Sequence, residues 1–92
     1  MLYETRKIIY DAAINKYGNH MQQMVAIEEM SELIKELVKY NRGTENEKHI
    51  AEEIADVCIM LEQLIMMFDN EPEVRLYIEQ KLLRLQSRVG GE

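Results

Sequence analysis

Residues 26–37 read AIEEMSELIKEL, and residues 51–64 read AEEIADVCIMLEQL. In each stretch apolar residues recur every three or four positions, the period of an amphipathic helix. No run alternates as a half-buried strand does. In the first, Ala26, Ile27, Met30, Leu33, Ile34, Leu37 and Val38 share one face, with Glu28, Glu32, Lys35, Glu36 and Lys39 opposite and Glu29 at the border. In the second, Ile50, Ile54, Val57, Cys58, Leu61, Leu64, Ile65 and Phe68 form the main apolar face, widened by Met60 and Met67. Glu53 and Asp56 lie within that widening. A helix apolar round most of its circumference is covered by more than one neighbour, so both acids are expected at an interior or a subunit interface.

Outward from these stretches the punctuation predicts four helices in one domain, 1–92. Helix one runs from about Tyr3 to Tyr17. Gly18 suits the left-handed position that ends it, and Asn19 the next N-cap. Helix two reaches Asn41 and stops at Arg42-Gly43. Thr44 with Glu47 reads as a capping box for a third helix ending near Phe68. Asp69-Asn70-Glu71-Pro72 is the third break, with Pro72 in the first turn of helix four. Residues 88–92 read as a flexible tail. The fold class is therefore all-α, a four-helix bundle-like arrangement. Ninety-two residues bury about 60% of the unfolded surface, and helix three is over-exposed in a monomer, so an oligomer is expected.

Composition narrows the function. Seventeen acids face eleven Lys and Arg, a net charge of −6. Nucleic-acid polymers are poor partners for such a chain, and cations suitable ones. The single cysteine, Cys58, excludes an internal disulfide framework, fits a reducing cytoplasm, and reads as an inert buried thiol. No apolar run reaches membrane-span length, and residues 1–10 lack the apolar core of a signal peptide.

Glu29 and Glu32 stand three apart, as do Glu53 and Asp56. Helical spacing sets each pair side by side, and the short Arg42-Gly43-Thr44 link favours an antiparallel hairpin in which the pairs face each other. Buried carboxylates must protonate, pair or bind a cation. Four oxygen donors suit a hard divalent ion, Mg²⁺ or Mn²⁺. Solvated helix acids are the alternative reading, and the one given to Glu28, Glu36, Glu52 and Glu62. A di-iron bundle needs Glu-x-x-His pairs, which His20 and His49 do not supply.

Glu28-Glu29-Met30-Ser31-Glu32, twenty residues, and Glu53-Ile54-Ala55-Asp56 resemble the EExxE…ExxD signature of the MazG-like all-α nucleoside triphosphate pyrophosphohydrolases. The likeness extends to the KYG before helix two, the RG break and the basic last helix. It implies a MazG-type fold, a homodimer or dimer of dimers, and Mg²⁺-dependent hydrolysis of a (d)NTP to the monophosphate and pyrophosphate. It implies Glu29, Glu32, Glu53 and Asp56 as metal ligands. Glu28 is either a supporting catalytic acid or a solvated one. Lys39, Arg42, Lys81 and Arg84 are candidate phosphate-binding bases, and Arg88 continues their stripe. Lys16, Tyr17, His20 and Gln23, at the first turn, read as capping or surface residues before base contacts, and Tyr40 and Tyr77 as partial core. A non-enzymatic acidic helical interaction module is the competing reading. Base, sugar and the number of ions are not legible.

Overall fold

The computed structural model describes residues 1–91. Four helices follow in order: α1 (Tyr3–Tyr17), α2 (Asn19–Asn41), α3 (Glu47–Phe68) and α4 (Glu71–Val89), with no strand among the described residues. None is long and apolar enough to cross a membrane. Of the expected tail, residues 88 and 89 are helical, 90 and 91 form a turn, and residue 92 lies outside the described residues.

The breaks fall where expected, but two caps are built differently. Gly18 has φ 90° and ψ 156°, a conformation open to glycine alone. Its N–H closes α1 on the Ile14 carbonyl, and its carbonyl accepts from the Gln22 N–H that opens α2. One residue thus serves both ends, and Asn19 is the first helical residue instead of a cap. Thr44 does not cap α3 either. It sits in the preceding turn with its N–H on the Lys39 carbonyl, and Asn46 takes the cap position. Asp69 ends α3 in the left-handed region, φ 49° and ψ 49°, which Asp tolerates better than most residues.

The α2–α3 hairpin is the principal packing unit. Its antiparallel register shows in pairs seven residues apart. Gln22 Nε2 donates to Gln63 Oε1 at 2.8 Å. Seven residues along α2 and seven back along α3, Glu29 adjoins Asp56. A further seven each way, the charge of His49 acts on Glu36. A seven-residue recurrence of facing positions keeps one seam between two helices. On α2 the seam buries Gln22, Ala26 and Glu36, with Glu29 and Leu33 half-buried. On α3 it buries Met60 and Gln63, with Ile50, Glu53, Val57 and Leu64 half-buried.

This seam is narrower than the apolar arcs of the sequence. Ile27, Ile34, Ile54, Leu61 and Phe68 remain exposed, and so do Tyr40 and Tyr77, expected as partial core. Cys58 shares the outer face of α3 and is exposed, not buried. Two acids read as solvated are engaged. Glu62 accepts a two-pronged ion pair from Arg6, Nε to Oε1 and Nη2 to Oε2, each 2.9 Å, and a hydrogen bond from the buried Tyr10 hydroxyl. That contact ties α1 to α3, and Arg6 with Tyr10 holds the Glu62 carboxyl below its ordinary range. Glu36 is only 9% exposed. Its carboxylate accepts from Asn46 Nδ2 at 2.9 Å, and the same nitrogen reaches the Glu36 carbonyl at 3.0 Å.

Asn46 therefore ties the start of α3 to the last turns of α2. Removing the donor leaves a buried carboxylate and carbonyl short of a partner, at about 1–3 kcal/mol. Asn46→Ala should lose that much stability in urea denaturation. Asn46→Asp should lose more near neutral pH, because it sets a second acid against Glu36. A loss within about 0.5 kcal/mol for both, the range of ordinary surface changes, would show that the clamp does not hold the hairpin.

Candidate metal centre

Glu29 lies on the seam side of α2, and Glu53 and Asp56 on the facing strip of α3. One carboxylate oxygen from each lies within 4.8 Å of the other two. Two oxygens opposite each other across Mg²⁺ are about 4.2 Å apart, so the three already stand near ligand spacing. Glu53 and Glu29 are half-buried and Asp56 is open to solvent. One oxygen of Glu53, Oε2, is buried and has no hydrogen-bond partner. A donor set of three hard oxygens, one of them buried and unsatisfied, fits a divalent cation.

The electrostatics agree. The Glu29 carboxyl titrates above its usual range, first because it shares a hydrogen bond with Asp56, then through burial and the charges of Asp56, Glu53 and Glu32. Burial also lifts Glu53, reinforced by Asp56, Glu32, Glu36 and Glu52. The charges that act most strongly on these two groups are all negative. Glu32 is exposed and outside the three-oxygen group, yet its charge reaches both Glu29 and Glu53. It stands at the rim. The fold thus draws three of the four expected ligands together and sets the fourth beside them.

The other expected site residues lie elsewhere. Glu28 is exposed on α2. Lys39 pairs with Glu36 at 3.4 Å, and Arg42 is exposed where α2 ends. Lys81, Arg84 and Arg88 are exposed on α4 and make no ion pair among the described residues. Lys16, Tyr17 and His20 are exposed and Gln23 half-buried at the α1–α2 turn. Glu36 and Asn46 were missed as a unit. The signal was the heptad step Gln22, Glu29, Glu36 on α2, polar residues recurring at seam positions. No family model, curated protein or solved structure matches the chain.

Folding favours the protonated forms of Glu29 and Glu53, whose values are raised from 4.5. Their stabilisation is complete below that value and is lost as pH climbs through the raised ones. The metal-free chain should therefore melt higher as pH falls from about 7 to about 5. Glu36 and Glu62 are lowered from 4.5, and their opposite effect comes below that window. Glu29→Gln or Glu53→Gln should raise Tm near neutral pH and flatten the slope. A flat wild-type profile across the window, measured by circular dichroism, would sink the cluster's electrostatic reading.

Proposed function

We propose that this chain is a Mg²⁺-dependent nucleoside triphosphate pyrophosphohydrolase, converting a (d)NTP to the (d)NMP and pyrophosphate. The observation that carries the proposal is the convergence of Glu29, Glu53 and Asp56 oxygens within 4.8 Å, with no ion pair to a base among the described residues. The likeness of EExxE…ExxD to the MazG-like signature supplies the reaction.

Glu29, Glu53 and Asp56 would hold the ion, with Glu32 at the rim; Mn²⁺ suits the same oxygens. Bound there, the ion would neutralise the acids, bridge to phosphate oxygens and increase the acidity of a water. Hydrolysis forms one P–O bond to that water and breaks the anhydride bond that releases pyrophosphate. The water's proton passes to a carboxylate of the cluster. Glu28, exposed one residue before, supports from outside.

The substrate's own charge calls for cations. Lys39 and Arg42 at the end of α2, and Lys81 and Arg84 on α4, are proposed to bind phosphate. They stand apart from the acids in one chain, so the working form is a homodimer or dimer of dimers, acting on nucleotides in the cytoplasm. The exposed apolar residues of the hairpin (Ile27, Ile34, Ile54 and Leu61) favour self-association and also suit the second reading, a non-enzymatic interaction module.

Incubation with canonical and modified (d)NTPs and Mg²⁺ should release pyrophosphate. Glu53→Gln and Asp56→Asn should each lower kcat/KM by about 100-fold or more while the helical circular dichroism persists. Full activity in both variants rejects the ligand assignment. Absence of turnover on the whole panel, with no Mg²⁺-dependent rise in Tm, selects the interaction module.

A further inference from the structure

Helix α4 leaves the body of the molecule. It contacts α3 only slightly, in a groove where Val74 and Ile78 meet Tyr3, Arg6 and Ile65. None of its residues is buried. At about 100° per residue, Val74, Ile78, Leu82, Leu85 and Val89 fall within an arc of about 80°. Only Val74 of these is half-buried, and the other four are each more than half exposed. Leu82, Leu85 and Val89 line a shallow concavity with Glu79 and Gln86 that no other helix enters.

Two observations indicate what covers this stripe. The first is area. The chain exposes 7338 Å², whereas a compact monomer of 10.9 kDa exposes about 5,600 Å². The excess, about 1,700 Å², is roughly twice what each partner buries in a standard interface of about 800 Å² a side. The second is charge. The first half of α4 carries Glu71, Glu73 and Glu79 against Arg75 alone, and Arg75 is spent on Glu71 at 2.9 Å. The second half carries Lys81, Arg84 and Arg88 and no acid. A parallel pair would stack like charge on like along its whole length. An antiparallel pair with Ile78 level with Val89 sets Glu79 of each helix level with Arg88 of the other.

We infer that α4 is a self-association arm, whose Ile78–Leu82–Leu85–Val89 stripe packs antiparallel against the same stripe of a second copy. The inference deepens the self-association proposed above by naming its seam and its polarity, and it is independent of catalysis.

Sedimentation equilibrium and crosslinking test it. The wild-type chain should dimerise, and Leu85→Glu, at an exposed position, should raise the dissociation constant by at least about tenfold with helical content unchanged. In a Cys58→Ser background, which removes the exposed native thiol, a short bifunctional thiol reagent should join chains in a mixture of Ile78→Cys and Val89→Cys. It should not join Val89→Cys chains alone, since an antiparallel pair puts the two Val89 positions at opposite ends. A monomer at every concentration overturns both the arm and self-association. A dimer untouched by Leu85→Glu leaves self-association standing and overturns α4 as its seam. Crosslinking of Val89→Cys alone overturns the antiparallel arrangement.

Discussion

The architecture depends on one antiparallel seam, the line along which α2 and α3 bury Ala26 and Met60 between them. The seam is unusual in carrying polar side chains every seventh residue: Gln22 against Gln63, Glu29 against Asp56, and Glu36 near His49. Each polar layer is a place where the two helices must meet in one register, because a slip would leave a buried amide or carboxylate without its partner. The outer layers are supplied with an amide donor, by the Gln22–Gln63 hydrogen bond at one end and the Asn46–Glu36 pair at the other, where Asn46 Oδ1 itself is buried without a partner. The middle layer is not. Its carboxylates meet each other and no base.

That contrast separates the middle layer from the outer two. Glu36 is more buried than Glu29 or Glu53, yet its carboxyl titrates below the usual range, because Asn46 and Lys39 stabilise the charged form. Glu29, less buried, titrates above it first through its hydrogen bond with Asp56, and Glu53 first through its own burial and then through neighbouring acids. Burial alone would order the three the other way. Between Glu36 and Glu29 the identity of the partner decides the sign. The outer layers on either side hold the helices, so the carboxylates cannot relieve their repulsion by drifting apart.

The helix boundaries were legible, because Gly18, Arg42-Gly43 and Pro72 act through local backbone geometry. So was the meeting of Glu29 with Glu53 and Asp56, since i, i+3 spacing and a short link leave an antiparallel hairpin little choice. The caps at Gly18 and Asn46 were not legible, because a side chain's choice between capping its own helix and reaching across to another is a tertiary matter. Asn46 reached across to Glu36. The buried face was misjudged for a related reason. Hydrophobicity marks every surface that some partner covers, whereas the seam within one chain selects Ile50, Glu53, Val57, Met60, Gln63 and Leu64 of α3. Ile54, Cys58 and Leu61, on the outer face, belong to the same apolar arc and stay exposed.

The open shape follows from this division. A radius of gyration of 16.1 Å exceeds the about 12 Å of a compact chain of this length, and the excess comes from helices that use only one side. The hairpin needs just its seam to hold register, and Arg6 with Tyr10 anchors α1 through Glu62 without closing a core. α4 is held by its first turns alone, and its basic half makes no ion pair among the described residues. An acidic cluster short of cations and a basic helix end short of anions thus occur in one molecule and do not meet within it. A chain of net charge −6 gains little by leaving its strongest basic stripe in solvent. That separation leaves Glu29, Glu53 and Asp56 without a lysine or arginine partner among the described residues.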